Sequence, residues 1–280
     1  MQMVYECMET LLPFSWVGFD FMKNALLAIL IITPLFGLLG TMIVNNKMAF
    51  FSDALGHSAL TGIAIGVVLG MADTNIAMIG FAVLFALVLN KLKEKQTQNT
   101  DTIISVCSSL SVALGLAILS RGGNFSKYSS LLVGDVLSIS AKEIIYLLLI
   151  FIVTVAFWLL GFNKLNAVSI NRSLANSRGI SVRLIDNLFA ILTACIVMLS
   201  IKWVGLMIIN ALLILPVAAA RNLSVNMREY HFFSILFSVF SGVLGLIISF
   251  YVNVATGPTI VIIAAVIYFA TYIYGRIYHI

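Results

Sequence analysis

Apolar residues in this chain come in long blocks separated by short polar breaks. A helix needs roughly 20 apolar residues to cross a hydrocarbon layer about 30 Å thick. Read with that window, the blocks predict spans near 21–44, 55–72, 75–91, 102–120, 141–161, 186–202, 204–221, 231–253 and 257–275. The stretch 186–221 is nearly continuous and supports two readings. Lys202-Trp203 followed by Gly205 reads as a membrane-surface turn between two spans, the second one short. The same stretch also reads as one long tilted helix. The fold class expected is all-α integral membrane, a polytopic bundle of eight or nine helices.

Composition agrees with the pattern. Of 280 residues, 61% are hydrophobic and 10% charged, against roughly a quarter charged in an average soluble domain. One soluble core of this size cannot hide so much apolar surface. This excludes an ordinary soluble enzyme, a disordered chain and a secreted disulfide scaffold. No polar stretch is long enough to fold alone, so residues 1–280 read as one transmembrane domain. The net charge of +5 does not point to nucleic acid, because the basic residues sit between apolar runs and form no stripe. Cys7, Cys107 and Cys195 form no CxxC pair.

Most Lys and Arg residues fall in 45–54, 91–101, 162–185, 222–230 and the C-terminus, or at span ends bordering them. The positive-inside rule then places these segments in the cytoplasm, with the N-terminus outside and the C-terminus inside. The first 20 residues contain Glu6, Glu9 and Asp20 and no basic residue. They lack the positive start of a signal peptide, and no cleavage is expected. The dipeptide Gly-Lys never occurs, so there is no Walker A loop. Any nucleotide energy must come from another chain.

Ionisable residues in or beside a span are functional candidates. The richest cluster is Phe51-Ser52-Asp53-Ala54-Leu55-Gly56-His57-Ser58-Ala59-Leu60-Thr61-Gly62. On a helix, Asp53 and His57 lie about 40° apart and Thr61 about 80° from Asp53, giving one narrow polar face. A carboxylate and a neutral imidazole form a partial ligand set for a first-row divalent ion. Two ligands do not fill a coordination shell; water, other helices or a second protomer must complete it. A simpler reading has Ser52 or Asp53 capping the helix N-terminus and His57 bonded to a backbone carbonyl, and the two readings are compatible. Gly62, Gly66 and Gly70 lie about 180°, 220° and 260° round the same helix from Asp53, a spacing suited to close helix packing.

Other polar features carry paired readings too. The segment Arg121–Asp135 is too polar to span and suits a short helix across the outer mouth; Asp135 either lines that mouth or caps the next helix. The loop 162–187 is the longest and most basic. Ile170 and Leu174 share a helical face at i, i+4, and Gly179 suits a helix C-cap. This reads either as a short helix docking on a soluble partner or as an ordinary basic loop. Pro34 with Gly37 and Gly40, and Asn210 with Pro216, suggest irregular backbone in two spans. Such irregularity is tolerated where it lines a cavity or is buried in protein.

Several stretches resemble the transmembrane permease of metal-ion ABC importers, the zinc, manganese and iron type. They are Lys47 to Gly62 with its Ser-Asp-Ala-x-x-His block, Leu132-Val133-Gly134-Asp135-Val136-Leu137-Ser138-Ile139-Ser140, Ala175…Arg178-Gly179-Ile180, Val204 to Arg221, and Thr256-Gly257-Pro258-Thr259. They run in order from about residue 20 to the C-terminus, and the Ser-Asp-Ala-x-x-His block is the most specific. The resemblance implies a fold similar to cobalamin and siderophore importer permeases, in a bacterial cytoplasmic membrane. It implies a homodimer bound to two ATP-binding subunits, fed by an extracytoplasmic metal-binding protein. The cargo implied is a divalent metal, zinc first, with manganese or iron as alternatives. ATP belongs to the partner, no cofactor is permanently bound, and the chain itself is not an enzyme.

By the same resemblance Asp53 and His57 coordinate the passing metal, and Ala175, Arg178 and Gly179 belong to the element that couples to the ATPase. Ser52, Thr61, Asp135 and Asn210 are expected along the pathway or at a gate. One departure stands out: many members carry Asp-x-Pro before the Thr-Gly, where this chain has Asn253-Val254-Ala255.

Overall fold

Glycines and buried apolar positions decide where these helices end. A computed structural model describes residues 5–6, 8–9, 15–46, 48–71, 73–95, 100–121 and 134–278. The described residues form ten α-helices: α1 Asp20–Asn45, α2 Ala49–Val68, α3 Thr74–Lys95, α4 Thr100–Arg121, α5 Ala141–Ile170, α6 Arg172–Ser177, α7 Val182–Val204, α8 Leu206–Arg221, α9 Met227–Val252 and α10 Thr256–Tyr278. Two short 3-10 turns, Ser15–Gly18 and Val136–Ser138, complete the set, and no strand occurs among the described residues. Eight helices (α1 to α5, α7, α9 and α10) are long and apolar enough to cross a bilayer, and α8 is a shorter apolar helix.

The break in 186–221 falls at Gly205, whose φ of 90° ends α7 and starts α8. Only glycine takes that conformation without steric cost. The single tilted helix is therefore excluded. Lys202 is exposed beside the break, but Trp203 is only 3% exposed. It packs inward and does not anchor at an interface as expected.

Several boundaries differ from the expectation. The second span begins at Ala49, more than a turn before residue 55, because the polar Ser52 and Asp53 are helical. It ends at Val68, so Gly70, with φ 65°, lies in the following turn and packs against nothing. The proposed packing role of Gly70 is thus corrected; its function is to turn the chain. The fifth span continues to Ile170, because Leu165 and Val168 are still buried. At 1.5 Å per residue its 30 residues measure about 45 Å. The expected loop 162–187 shrinks to Asn171–Ser181, which holds the short α6. Ile170 and Leu174 therefore sit on different helices, though both are exposed. The short helix expected between Arg121 and Asp135 falls mainly on residues 122–133, outside the described residues.

The chain clusters into two compact units. One comprises residues 1–41, 134–153 and 211–280. Within it α1 meets α9 backbone to backbone: a Cβ at Gly37 would lie 2.9 Å from Ile235 Cα, and Ser234 Oγ donates to the Gly37 carbonyl at 2.8 Å. Gly40 abuts the Leu213 carbonyl of α8. Pro34 and Pro216 both lie inside unbroken helices, so the expected irregular backbone is not found there. Asn253 ends α9 in the left-handed region at φ 56°, its N–H donating to the Ser249 carbonyl. Asn is one of the few non-glycine residues that visits that region readily.

The second unit comprises residues 42–133 and 154–210. Here α2 is wedged between α3 and α4. A Cβ at Gly62 would lie 2.6 Å from Met78 Cα, and one at Gly66 3.0 Å from Ala77 Cβ. On the other side a Cβ at Gly115 of α4 would lie 2.8 Å from the Thr61 nitrogen. Gly115→Val is expected to push α4 off α2 and to cost about 1–3 kcal/mol, as overpacking does. Thermal unfolding in detergent checks this; an unchanged midpoint would contradict the close approach.

Candidate functional site

The first three turns of α2 carry the polar cluster. The helix is capped by Met48, with no side-chain cap hydrogen bond and no acid in the first turn. Capping by Ser52 or Asp53 is therefore overturned, because both sit within the helix. Ser52 Oγ instead donates to Asn210 Oδ1 at 2.7 Å, joining two of the predicted pathway residues. Asp53 and His57 meet as the i, i+4 spacing requires, with Asp53 Oδ2 3.6 Å from His57 Nε2. Their side chains are 36% and 32% exposed. They lie about 6 and 12 Å along α2 from its start. Ionisable groups within a spanning helix face protein or a water-filled cavity.

That cavity is present. It is a half-open pocket of about 870 Å³, lined from α2 by Phe50, Asp53 and His57. Its other wall is α4, which contributes Asp101, Thr102, Ser105, Ser108 and Ser109 among apolar neighbours. The register between the walls follows from the glycine contact. Gly115 touches Thr61, and the Thr61 hydroxyl bonds to Ser111, 3.0 Å from its Oγ. From that contact point the pocket opens between Asp53 and His57 on α2 and Asp101, Ser105 and Ser108 on α4. Thr61, expected on the polar face, is instead buried in the α2–α4 seam.

The remaining predicted residues are placed as follows. Asp135 is exposed in the other unit, where its carboxylate accepts from Leu137 N at 3.0 Å and caps the turn Val136–Ser138. Ala175 is buried on α6, whose N-cap Asn171 accepts from Leu174 N. Arg178 is the C-cap, and Gly179 follows at φ 77°, with Ile180 N returning to the Ala175 carbonyl at 3.1 Å. The expected glycine cap is thus in place. His231 is buried with Nδ1 at 2.5 Å from the Met227 carbonyl.

No group of three or more His, Cys, Asp or Glu able to hold a metal ion occurs among the described residues. Asp53 and His57 offer a carboxylate and an imidazole nitrogen, and the α4 wall offers hydroxyl oxygens with the Asp101 carboxylate at its end. This set can replace part of a hydration shell without trapping an ion in a closed cage.

The model of the ABC 3 transport family matches residues 18–275. The chain belongs to that family. It is 30% identical over 251 residues to "High-affinity zinc uptake system membrane protein ZnuB" of Haemophilus influenzae, covering 89% of this chain and 96% of the relative. It is 24% identical to "Manganese transport system membrane protein MntC" of Listeria monocytogenes, covering 92% and 91%. Among solved structures it matches PsaBC from Streptococcus pneumoniae in complex with Fab. That match has a TM-score of 0.80 at 26% identity, covering 97% of this chain and 95% of that one. A metal-chelate type ABC transporter in an inward-facing conformation matches with a TM-score of 0.69 at 14% identity, which speaks to the fold alone.

Membership in this family makes the chain a multi-pass ABC transporter permease rather than an enzyme. The hydroxyl wall of α4 was not singled out in the sequence. The signal was there: Thr102, Ser105, Ser108 and Ser109 recur at helical spacing within an apolar span. Its significance depends on which helix faces α2, and no local pattern reports that.

Proposed function

We propose that this ABC 3 family permease carries a divalent first-row transition metal, with zinc the leading cargo, into the cell by ATP-driven alternating access. The observation that carries the reading is the Asp53–His57 pair opposite a hydroxyl-lined wall, inside helices long enough to span a membrane. A bare dication in hydrocarbon is prohibitively costly, and charged and polar groups must stand in for lost water. Asp53 supplies charge and His57 a softer nitrogen. Imidazole suits zinc, and the 30% identity to a zinc uptake membrane protein supports that cargo. Manganese is the second reading, favoured by the oxygen-rich α4 wall.

In this reading two copies of the permease assemble with two ATP-binding subunits, and an extracytoplasmic protein delivers the metal. ATP binding and hydrolysis take place on the partner, consistent with the missing Walker A loop. The short helix α6, with Ala175, Arg178 and Gly179, meets the ATPase and passes its movement to the spans. Asp53 and His57 hold the ion, Ser52 and Asn210 brace the start of α2, and Asp135 marks the outer rim. The N-terminus lies outside and the C-terminus in the cytoplasm, as the distribution of basic residues favours.

Uptake competition in the reconstituted complex tests the proposal. Radioactive zinc uptake is expected to require ATP and to be displaced by unlabelled zinc at lower concentration than by manganese. Displacement by manganese first would replace zinc with manganese. ATP-independent uptake would point to a secondary transporter.

A further inference from the structure

A polar network lies at the end of the second unit where α2 starts, α3 ends, α5 ends and α7 starts. Arg172, the first residue of α6, places Nη1 3.0 Å from Asp186 Oδ2 on α7. The carbonyl of the same Asp186 accepts from Asn90 Nδ2 of α3 at 3.0 Å, and that amide also reaches Asn187 Oδ1 at 3.2 Å. One turn further along α3, Lys93 lies within electrostatic reach of both Arg172 and Asp186.

Lys93 does not reach out to solvent as a lysine at a helix end ordinarily does. Its Nζ lies 3.1 Å from Met48 Sδ and 5.6 Å from the centroid of the Phe51 ring. Met48 is the N-cap of α2, and Phe51 is fully buried in its first turn. The next residue, Ser52, is tied to Asn210, and Asp53 follows. A path thus leads from the short helix through Asp186 and Asn90, one turn along α3 to Lys93, and on to the turn that presents the Asp53 carboxylate. The links are an ion pair, amide hydrogen bonds, the charge interaction of Lys93 with Asp186 and Arg172, and a cation on a ring face, joined by the backbone of α2.

We propose that Arg172, Asp186, Asn90 and Lys93 are positioning residues that transmit displacement of α6 to the Asp53 end of α2. The proposal rests on the reading of α6 as the ATPase-facing element. Asp186 attracts both Arg172 and Lys93, while the two cations repel each other. When α6 moves, Arg172 leaves or approaches Asp186, and the hold of Asp186 on Lys93 changes in the opposite sense. Lys93 sits on the Phe51 ring, so the first turn of α2 shifts with it. That shift re-aims Asp53 relative to the α4 wall.

The test is a charge-reversal cycle in the permease–ATPase complex reconstituted in proteoliposomes, reading zinc ions moved per ATP hydrolysed. Arg172→Asp and Asp186→Arg are each expected to lower that ratio by about 10-fold. The double variant should restore it to within about 2-fold of the parent. Lys93→Met should lower the ratio as the single reversals do, whereas Lys93→Arg should largely keep it. Co-purification of the ATPase checks assembly. If a reversal fails to assemble, Arg172→Gln and Asp186→Asn, which preserve shape, must shift the ratio in the same direction. Equal falls in transport and hydrolysis, leaving the ratio unchanged, would overturn the relay, as would a double variant no better than the singles. A parent complex that hydrolyses ATP but moves neither zinc nor manganese would overturn the functional reading itself. A parent that transports normally beside indifferent variants overturns the relay alone.

Discussion

Asp53→Asn and His57→Ala are each expected to cut metal uptake by at least about 100-fold while the permease still inserts and binds its ATPase. The scale follows from metal sites in general, where loss of an outer-shell partner alone costs about 10–100-fold. The two side chains supply a carboxylate and the one imidazole of a pocket whose remaining polar lining is Asp101 and the hydroxyls of Thr102, Ser105, Ser108 and Ser109. The other carboxylate of the lining, Asp101, forms no three-ligand group with them, since no such group occurs among the described residues. Asp53→Asn keeps the size and removes the charge, so it isolates electrostatics from packing. Neither side chain is in the buried core, and their exposure of about a third leaves the fold little changed by substitution. Uptake of radioactive zinc and manganese, with ATPase activity as the assembly control, gives the measurement. Parent-level uptake by both variants would remove the site assignment.

Gly179→Val is expected to reduce uptake by about 10-fold without preventing insertion. Gly179 holds φ 77° immediately after α6 and has open space around its missing Cβ. The penalty is therefore conformational rather than steric crowding. A left-handed conformation costs an ordinary residue about 1–2 kcal/mol, and β-branching stiffens valine further. With only six residues, α6 has little cooperativity to absorb that cost. Its terminal bonds, Gly179 N to Asn176 O and Ile180 N to Ala175 O, are the ones at risk. Gly179→Asn, which tolerates the left-handed region, should retain most uptake. Stimulation of the partner's ATPase separates the cases: a Val variant with parent-like stimulation and uptake would count against α6 as the coupling element.

The spans were legible because twenty-residue hydropathy is a local quantity. The misjudged ends share one cause. Ser52 and Asp53 look like loop residues by polarity, yet they are helical because a cavity and Asn210 receive them. The α5 extension looked like loop because Asn163, Lys164 and Asn166 dilute the hydropathy, yet Leu165 and Val168 are buried there. Gly62 and Gly66 pack as their spacing suggested, while Gly70, at the same spacing, falls beyond the helix end.

The candidate site divides in the same way. Asp53 and His57 could be paired from sequence because i, i+4 neighbours meet on any helix. Lys93 falls in the basic break 91–101, and only its contacts with Met48 and Phe51 turn it inward.

By itself, then, the sequence determined the membrane class, the helical blocks, the Asp53–His57 pair and the glycine stop after α6. These depend on the composition and spacing of residues close along the chain. Only the tertiary structure decided that Ser105, Ser108 and Ser109 form the wall opposite the pair, that Thr61 is spent on the α2–α4 seam, that Arg172 pairs with Asp186, and that Lys93 turns in onto Met48 and Phe51. Those relations join residues tens of positions apart. They are set by where backbones can approach, at Gly62, Gly66 and Gly115, and a helix's own periodicity does not say which neighbour it will meet there.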